Sequence, residues 1–234
     1  ITLNVRGGSF SFGSGFVDSF YPDRWVNHGV INLNAGTLNL AGNFTLAGLG
    51  VVGGGETAGS FNRSSGTTLN ISGLLDLQGS GSVDIVSGGS FGVGGLGTVS
   101  GTLYDGRVFS SDPGHALVGD NALLDGIILA EPQALLLNTS GSFRVSPSGL
   151  AIEDGVTIVS NAIWNWNGAD VDSLSGTPVL PGSPGETRFQ IQSGSVTLAD
   201  SAIGTGLTVE VGNGGTLNLG HPEYANSGWI NQGQ

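Results

Sequence analysis

The stretch "GVINLNAGTLNLAGNFTLAG" (29–48) alternates apolar and polar residues in short runs, each run ending at glycine. In "TLNL" a period of two puts Leu38 and Leu40 on one face and Thr37 and Asn39 on the other, the pattern of a half-buried strand. Glycine then supplies the turn, where backbone freedom is needed. The same alternation returns in "TLNIS" (68–72), "LLDLQ" (74–78), "SVDIV" (82–86), "SFRVS" (142–146), "FQIQSGSVTL" (189–198) and "LTVEV" (207–211). Strands of about four to six residues follow. No segment carries an amphipathic helical period with caps, so helix content is predicted to be near zero.

Many short strands with close turns suit a sandwich, a barrel or a solenoid. Reuse of one phrase favours the solenoid, because stacked turns of such a coil place equivalent residues above one another. Leu, Val and Ile then form inward ladders, and Thr and Asn outward ones. The chain therefore reads as all-β, a β-solenoid in one elongated domain over 1–234, with irregular loops. The irregularity shows in the spacing: the step from Gly36 to Gly66 is long, while other strand phrases recur sooner. The segment 170–188, "DVDSLSGTPVLPGSPGETR", holds three of the eight prolines and is predicted to leave the sheet. The segments 18–24, "DSFYPDR", and 110–115, "SSDPGH", are expected to do the same.

Composition narrows the function classes. Glycine makes up 44 of 234 residues, well above the average of about 7%, yet no Gly-X-Y period or proline richness marks a collagen. A hydrophobic content of 38% supports a packed core. The net charge is −12 and all six basic residues are arginine, which argues against binding nucleic acid or an anionic membrane. Cysteine is absent, so neither disulfides nor thiol chemistry enter. Methionine is absent too, and the chain reads as a processed product or an excised piece. No apolar run is long enough for membrane insertion within the segment.

The two ends resemble each other. "GTLNL" (36–40) recurs at 215–219, "WVNHGV" (25–30) returns as "WINQGQ" (229–234), and "ITLNV" (1–5) is a third copy of the strand phrase. The chain reads as one long unit plus the opening of the next. Residues 1–28 form an aromatic-rich N-terminal end or cap, and 215–234 the C-terminal end or the start of another repeat. Phe10, Phe12, Phe16, Phe20, Tyr21 and Trp25 crowd into the segment 10–25, with Tyr224 and Trp229 at the far end. These eight aromatics are the candidate self-association residues, because terminal strands carry unpaired backbone groups that template another strand. A cap over the first turn of the coil explains the N-terminal cluster equally well. The expected partner is a second copy joined head to tail, or a tandem unit of a longer chain.

The phrases "GTLNLAGNFTLAGLG", "FNRSSGTTLNISGLLDLQGSGS" and "NALLDGIIL" resemble the repetitive passenger regions of filamentous-haemagglutinin-like and autotransporter-adhesin-like bacterial surface proteins. The resemblance lies in texture along nearly the whole chain, without a diagnostic motif. It implies a right-handed parallel β-helix, export to the cell surface, and an adhesive or structural role. It carries over no catalytic residues. The expected function is thus a non-enzymatic, extracellular segment of a surface fibre or adhesin, without cofactors and with surface glycans as a further candidate contact.

The competing expectation is a carbohydrate-active β-helix enzyme or polysaccharide-binding module, with a groove lined by Trp164, Trp166 and Asp170. Such chemistry needs convergent carboxylates. Asp170 and Asp172 form the closest acidic pair, and Asp76 and Asp84 lie in separate strand phrases that could stack. His28, His115 and His221 share no metal-ligand or nucleophile spacing, and the calcium nonapeptide is absent. No metal or catalytic residue is assigned. Four Asn-x-Ser/Thr sequons, at Asn43, Asn62, Asn70 and Asn138, are candidate glycosylation sites.

Overall fold

The computed structural model describes residues 1–13, 24–51, 59–79, 81–130, 136–166, 168–174, 186–220 and 229–231. Its strands are β1 (Thr2–Phe12), β2 (Val30–Leu40), β3 (Asn43–Phe44), β4 (Ser60–Arg63), β5 (Thr68–Ile71) and β6 (Leu74–Asp76). There follow β7 (Ser82–Asp84), β8 (Thr98–Val99), β9 (Thr102–Phe109), β10 (Leu117–Ala130), β11 (Leu136–Val145) and β12 (Leu150–Ile152). The last six are β13 (Thr157–Asn165), β14 (Val171–Ser173), β15 (Thr187–Leu198), β16 (Ser201–Ile203), β17 (Leu207–Leu219) and β18 (Trp229–Asn231).

These strands form one nearly all-β, many-stranded sheet in which each strand pairing is parallel. One column of register partners runs through nine levels without a gap: Arg24, Asn43, Leu74, Thr102, Leu123, Arg144, Asn165, Thr197 and Asn218. At about 4.8 Å per level it spans about 40 Å. The adjacent inward column begins at Trp25 and passes Phe44, Leu75, Leu103 and Leu124, the last four fully buried. It continues through Val145, Trp166 and Leu198 to Leu219. The alternation in the sequence thus becomes one continuous core.

The length of chain between levels varies widely, from the short step of Arg24 to Asn43 to the long one of Ile163 to Ser195. The loops absorb the difference and leave the columns intact, which is how an irregular sequence period coexists with a regular ladder.

Outward positions stack by hydrogen bonding. Asn32 donates its side-chain amide to Asn4 Oδ1 at 2.8 Å, and Asn62 to Asn32 Oδ1 at 2.9 Å. Beside them Asn70 donates to Asn39 at 2.9 Å, and Asn39 to Ser9 Oγ at 3.1 Å. Parallel, in-register stacking lets an amide donate to one neighbour and accept from the other. The repeated "LNL" phrase has this physical basis.

At three successive levels one corner column is held by glycine, at Gly42, Gly73 and Gly101, before Ala122 and Phe143 continue it. A Cβ on Gly73 would lie 2.1 Å from Gly42 O, and one on Gly101 would lie 1.9 Å from Gly73 O. In the last third aromatic rings pack the core. Phe143 stacks on Trp164 at 4.5 Å, and Phe189 meets Trp164 and Trp166 edge-on at 5.3 and 5.0 Å.

Among the described residues helix is confined to one turn, in keeping with the expected near-zero content, while strand length and one loop need correcting. A single helical turn, Leu46–Leu49, interrupts the strands because it is capped at both ends. Thr45 Oγ1 accepts from Gly48 N at 2.9 Å, and Gly50 closes the turn at φ 92°. Strands reach 14 residues in β10, longer than expected, because left-handed residues at Asn121 (φ 56°) and Gly126 (φ 62°) are absorbed within it, Asn121 at a register shift after which the pairing resumes. Segment 110–115 leaves the sheet between β9 and β10 as expected. The predicted loop 170–188 is shorter at both ends, since β14 and β15 claim Val171–Ser173 and Thr187–Arg188. Residues 175–185 and 14–23, including Phe16, Phe20, Tyr21 and most of segment 18–24, lie outside the described residues.

Candidate self-association site

Both ends of the ladder are, among the described residues, unpaired edges. Among the described residues, β1 pairs with β2 alone, and β17 with β15 alone. The outer backbone groups of two strands, 11 and 13 residues long, therefore face no strand among the described residues.

Side chains change character at those edges. Phe10 is 41% exposed, whereas Leu38 one level inward is fully buried. Val211 and Leu219 are each 48% exposed, while Ile191 and Leu198 beneath them are fully buried. The columns place apolar side chains at the final level just as in the interior, and no described residue covers them.

At the N-terminal edge the interior continues into an aromatic seat. Phe12 meets Trp25 edge-on at 4.8 Å, and Trp25 stacks on buried Phe44 at 5.0 Å. Trp25 Nε1 donates to Ala41 O at 2.7 Å, which fixes the ring. A cavity of about 380 Å³ opens next to it, lined by Leu3, Phe12, Val26, His28 and Ile31 among others. An ion pair from Arg24 to Asp76 ties this first level down.

The structure thus brings Phe10, Phe12 and Trp25 to one edge. Trp229 stands opposite Ser201 in β18, at the other end. Tyr224 lies outside the described residues. The recurrence of "GTLNL" is not a recurrence of place. Leu40 belongs to a column that runs Phe12, Leu40, Ile71, Val99, Gly119, Gly141, Ala162. Gly194 follows, packed on Ala162 O, and then Gly215. Leu219 instead ends the Trp25–Phe44 column. The two copies fall in different columns of the sheet, so the shared phrase does not give the ends one cross-section.

The expected carbohydrate groove is overturned. Trp164 and Trp166 are fully buried, since the alternation that buries Ile158 and Ala162 carries both rings inward. A surface cavity of about 380 Å³ does adjoin Pro147, Ser148, Leu150, Asp170 and Leu174, with Asp170 its single carboxylate. Asp170 accepts from Ala202 N at 3.1 Å; the side chain of Asp172 lies outside the described residues. Asp76 and Asp84 both stand against β9, opposite Tyr104 and Phe109, so they lie along one strand rather than stacking. Asp84 accepts from Ser111 N at 3.1 Å and Ser111 Oγ at 2.7 Å. His28 is exposed at the N-terminal edge, and His115 meets Leu96 O at 3.3 Å. His221 lies outside the described residues.

Three of the four sequon amides are engaged in hydrogen bonds, and the fourth, Asn43, is buried. Asn43 is 6% exposed. Asn62 and Asn70 spend their amides on the ladders, and Asn138 donates to Pro113 O.

Charge near the edges is paired in a distinctive way. Arg188 lies opposite Thr208 yet reaches along the sheet to Glu210 Oε1, at 3.2 Å, while holding Glu186 at 2.7 Å. Gln190 donates to the other Glu210 oxygen at 2.8 Å. Arg63 closes the end of β4 by donating to Thr67 O at 2.7 Å and to Gly95 O. Burial holds its pKa below the usual arginine value. Arg188 and Glu210 escape a reading of the sequence, because their signal is visible only once the register is known.

No family model matches the chain, and neither does a curated protein or a solved structure. No helix among the described residues is long and apolar enough to cross a membrane.

Proposed function

We propose that the chain is a non-enzymatic structural segment of an extracellular fibre or adhesin. It is coiled as a right-handed parallel β-helix and associates head to tail with further copies. The observation that carries this reading is the pair of parallel edges, unpaired among the described residues, at opposite ends of the same columns, each exposing apolar residues whose neighbours one level inward are buried. Parallel edges of this kind add strands by backbone hydrogen bonding. Joining unlike ends gives a heterologous contact that propagates without closing. The resemblance to repetitive surface proteins supports the handedness, the extracellular setting and contact with surface glycans. Absence of lysine, cysteine and methionine suits a protein exposed to proteases and oxidants.

Sedimentation velocity over a broad concentration range tests the association. The expected result is a continuous rise in mass without a limiting oligomer. A single monomeric species at every concentration overturns it, and a closed dimer contradicts the heterologous geometry.

A further inference from the structure

The register of the sheet defines how one copy seats on the next; this inference rests on the head-to-tail reading above. Two columns locate the fit independently. The first runs without a gap from Arg24 to Asn218. The second links Phe12 to Gly215 through Gly119 and Ala162. A run from Leu117, two residues before Gly119, passes Thr139, Ser160 and Ile191 to Val211. Val211 is therefore in line with Phe10, two residues before Phe12. If β1 of one copy continues the sheet beyond β17 of another, Phe10 covers Val211 and Trp25 covers Leu219. Phe10, Val211 and Leu219 are exposed at the two edges, and Trp25 is half-buried.

The same register fixes the charges. Glu210 falls in line with Ser9. Arg6 pairs with Ala35 while Ser9 pairs with Thr37, so Arg6 sits two ladder steps before Ser9, in line with Thr208. Arg188 occupies that same column on the inner side of Thr208, and from there it reaches Glu210 at 3.2 Å. Arg6 of an incoming copy takes the equivalent place on the outer side. β1 carries Arg6 and no acidic residue, and β17 carries Glu210 and no basic one. Arg6 is exposed, and the Glu210 side chain keeps 40% of its surface accessible. In a chain of net charge −12, two copies repel unless their contact surfaces differ in sign.

We propose that Arg6 of one copy pairs with Glu210 of the next, across a junction in which β1 extends the sheet beyond β17. The partner is a second copy of this chain, and the pair sets register and polarity.

Charge exchange tests this. R6E and E210R are each compared with the unaltered chain by sedimentation, with circular dichroism confirming the strand content of both. Each variant alone is expected to need at least about tenfold higher concentration to associate. An equimolar mixture of the two is expected to regain assembly, because every alternating junction again joins opposite charges. The double variant R6E/E210R recovers assembly by the same logic, and provides the test if one single variant is poorly folded. If the unaltered chain assembles and neither the single variants nor their mixture differ from it, this register is wrong while head-to-tail association stands. If the unaltered chain stays monomeric, both fall.

Discussion

Asn62 donates its side-chain amide to Asn32 at 2.9 Å, and Asn32 passes the same bond on to Asn4 at 2.8 Å. Asn32 is thus donor and acceptor at once, at the centre of an outward ladder. Asn32→Ala removes both bonds and is expected to lower stability by about 1–2 kcal/mol, measured by urea denaturation. The exposed neighbour Asn34→Ala serves as control, with a change within about 0.5 kcal/mol. Equal effects for the two variants would show that the ladder is decorative.

Trp164 is fully buried, stacks on Phe143, and donates from Nε1 to Ser160 Oγ at 2.9 Å. Trp164→Ala is expected to cost about 3–5 kcal/mol. The same burial predicts that oligosaccharides leave the emission of Trp164 and Trp166 unchanged and that no reducing ends are released from them. Release of reducing ends would restore the carbohydrate-active reading despite the buried rings.

Gly101 tests the corner column. Its missing Cβ would stand 1.9 Å from Gly73 O, so even Gly101→Ala forces neighbouring levels apart. Loss of soluble, strand-rich protein is expected by circular dichroism, whereas Ser100→Ala on the adjacent exposed residue leaves it intact. Normal folding of Gly101→Ala would mean that the levels are less tightly stacked than described.

The core rests on Leu, Val, Ile and aromatic columns, and no group of three or more acidic or histidine side chains is assembled for a metal among the described residues. A calcium chelator is therefore expected to leave the melting temperature unchanged. A marked fall would place a structural cation at the acidic turns.

Much of the sheet was legible in the alternation. The "TLNL" and "TLNIS" phrases do stack, Leu38 on Leu69 and Asn39 on Asn70, because a period of two survives whatever the loops do. Even the burial of Trp164 and Trp166 could have been read from "TIVSNAIWNW", where Ile158, Ala162 and both rings share one parity. What the sequence concealed was phase. Because the chain between levels is short in one place, Arg24 to Asn43, and long in another, Ile163 to Ser195, similar phrases need not fall in one column. The two "GTLNL" copies do not. The edge pair of Arg6 and Glu210 was hidden for the same reason: each is a lone charge in an unremarkable strand until the columns are traced.

Electron microscopy of the purified intact chain at increasing concentration tests the end-to-end arrangement most directly. Rods of constant width are expected, lengthening in steps of about 40–45 Å as levels of about 4.8 Å accumulate. Isolated particles of one length at all concentrations, or assemblies that broaden sideways instead of lengthening, would contradict it.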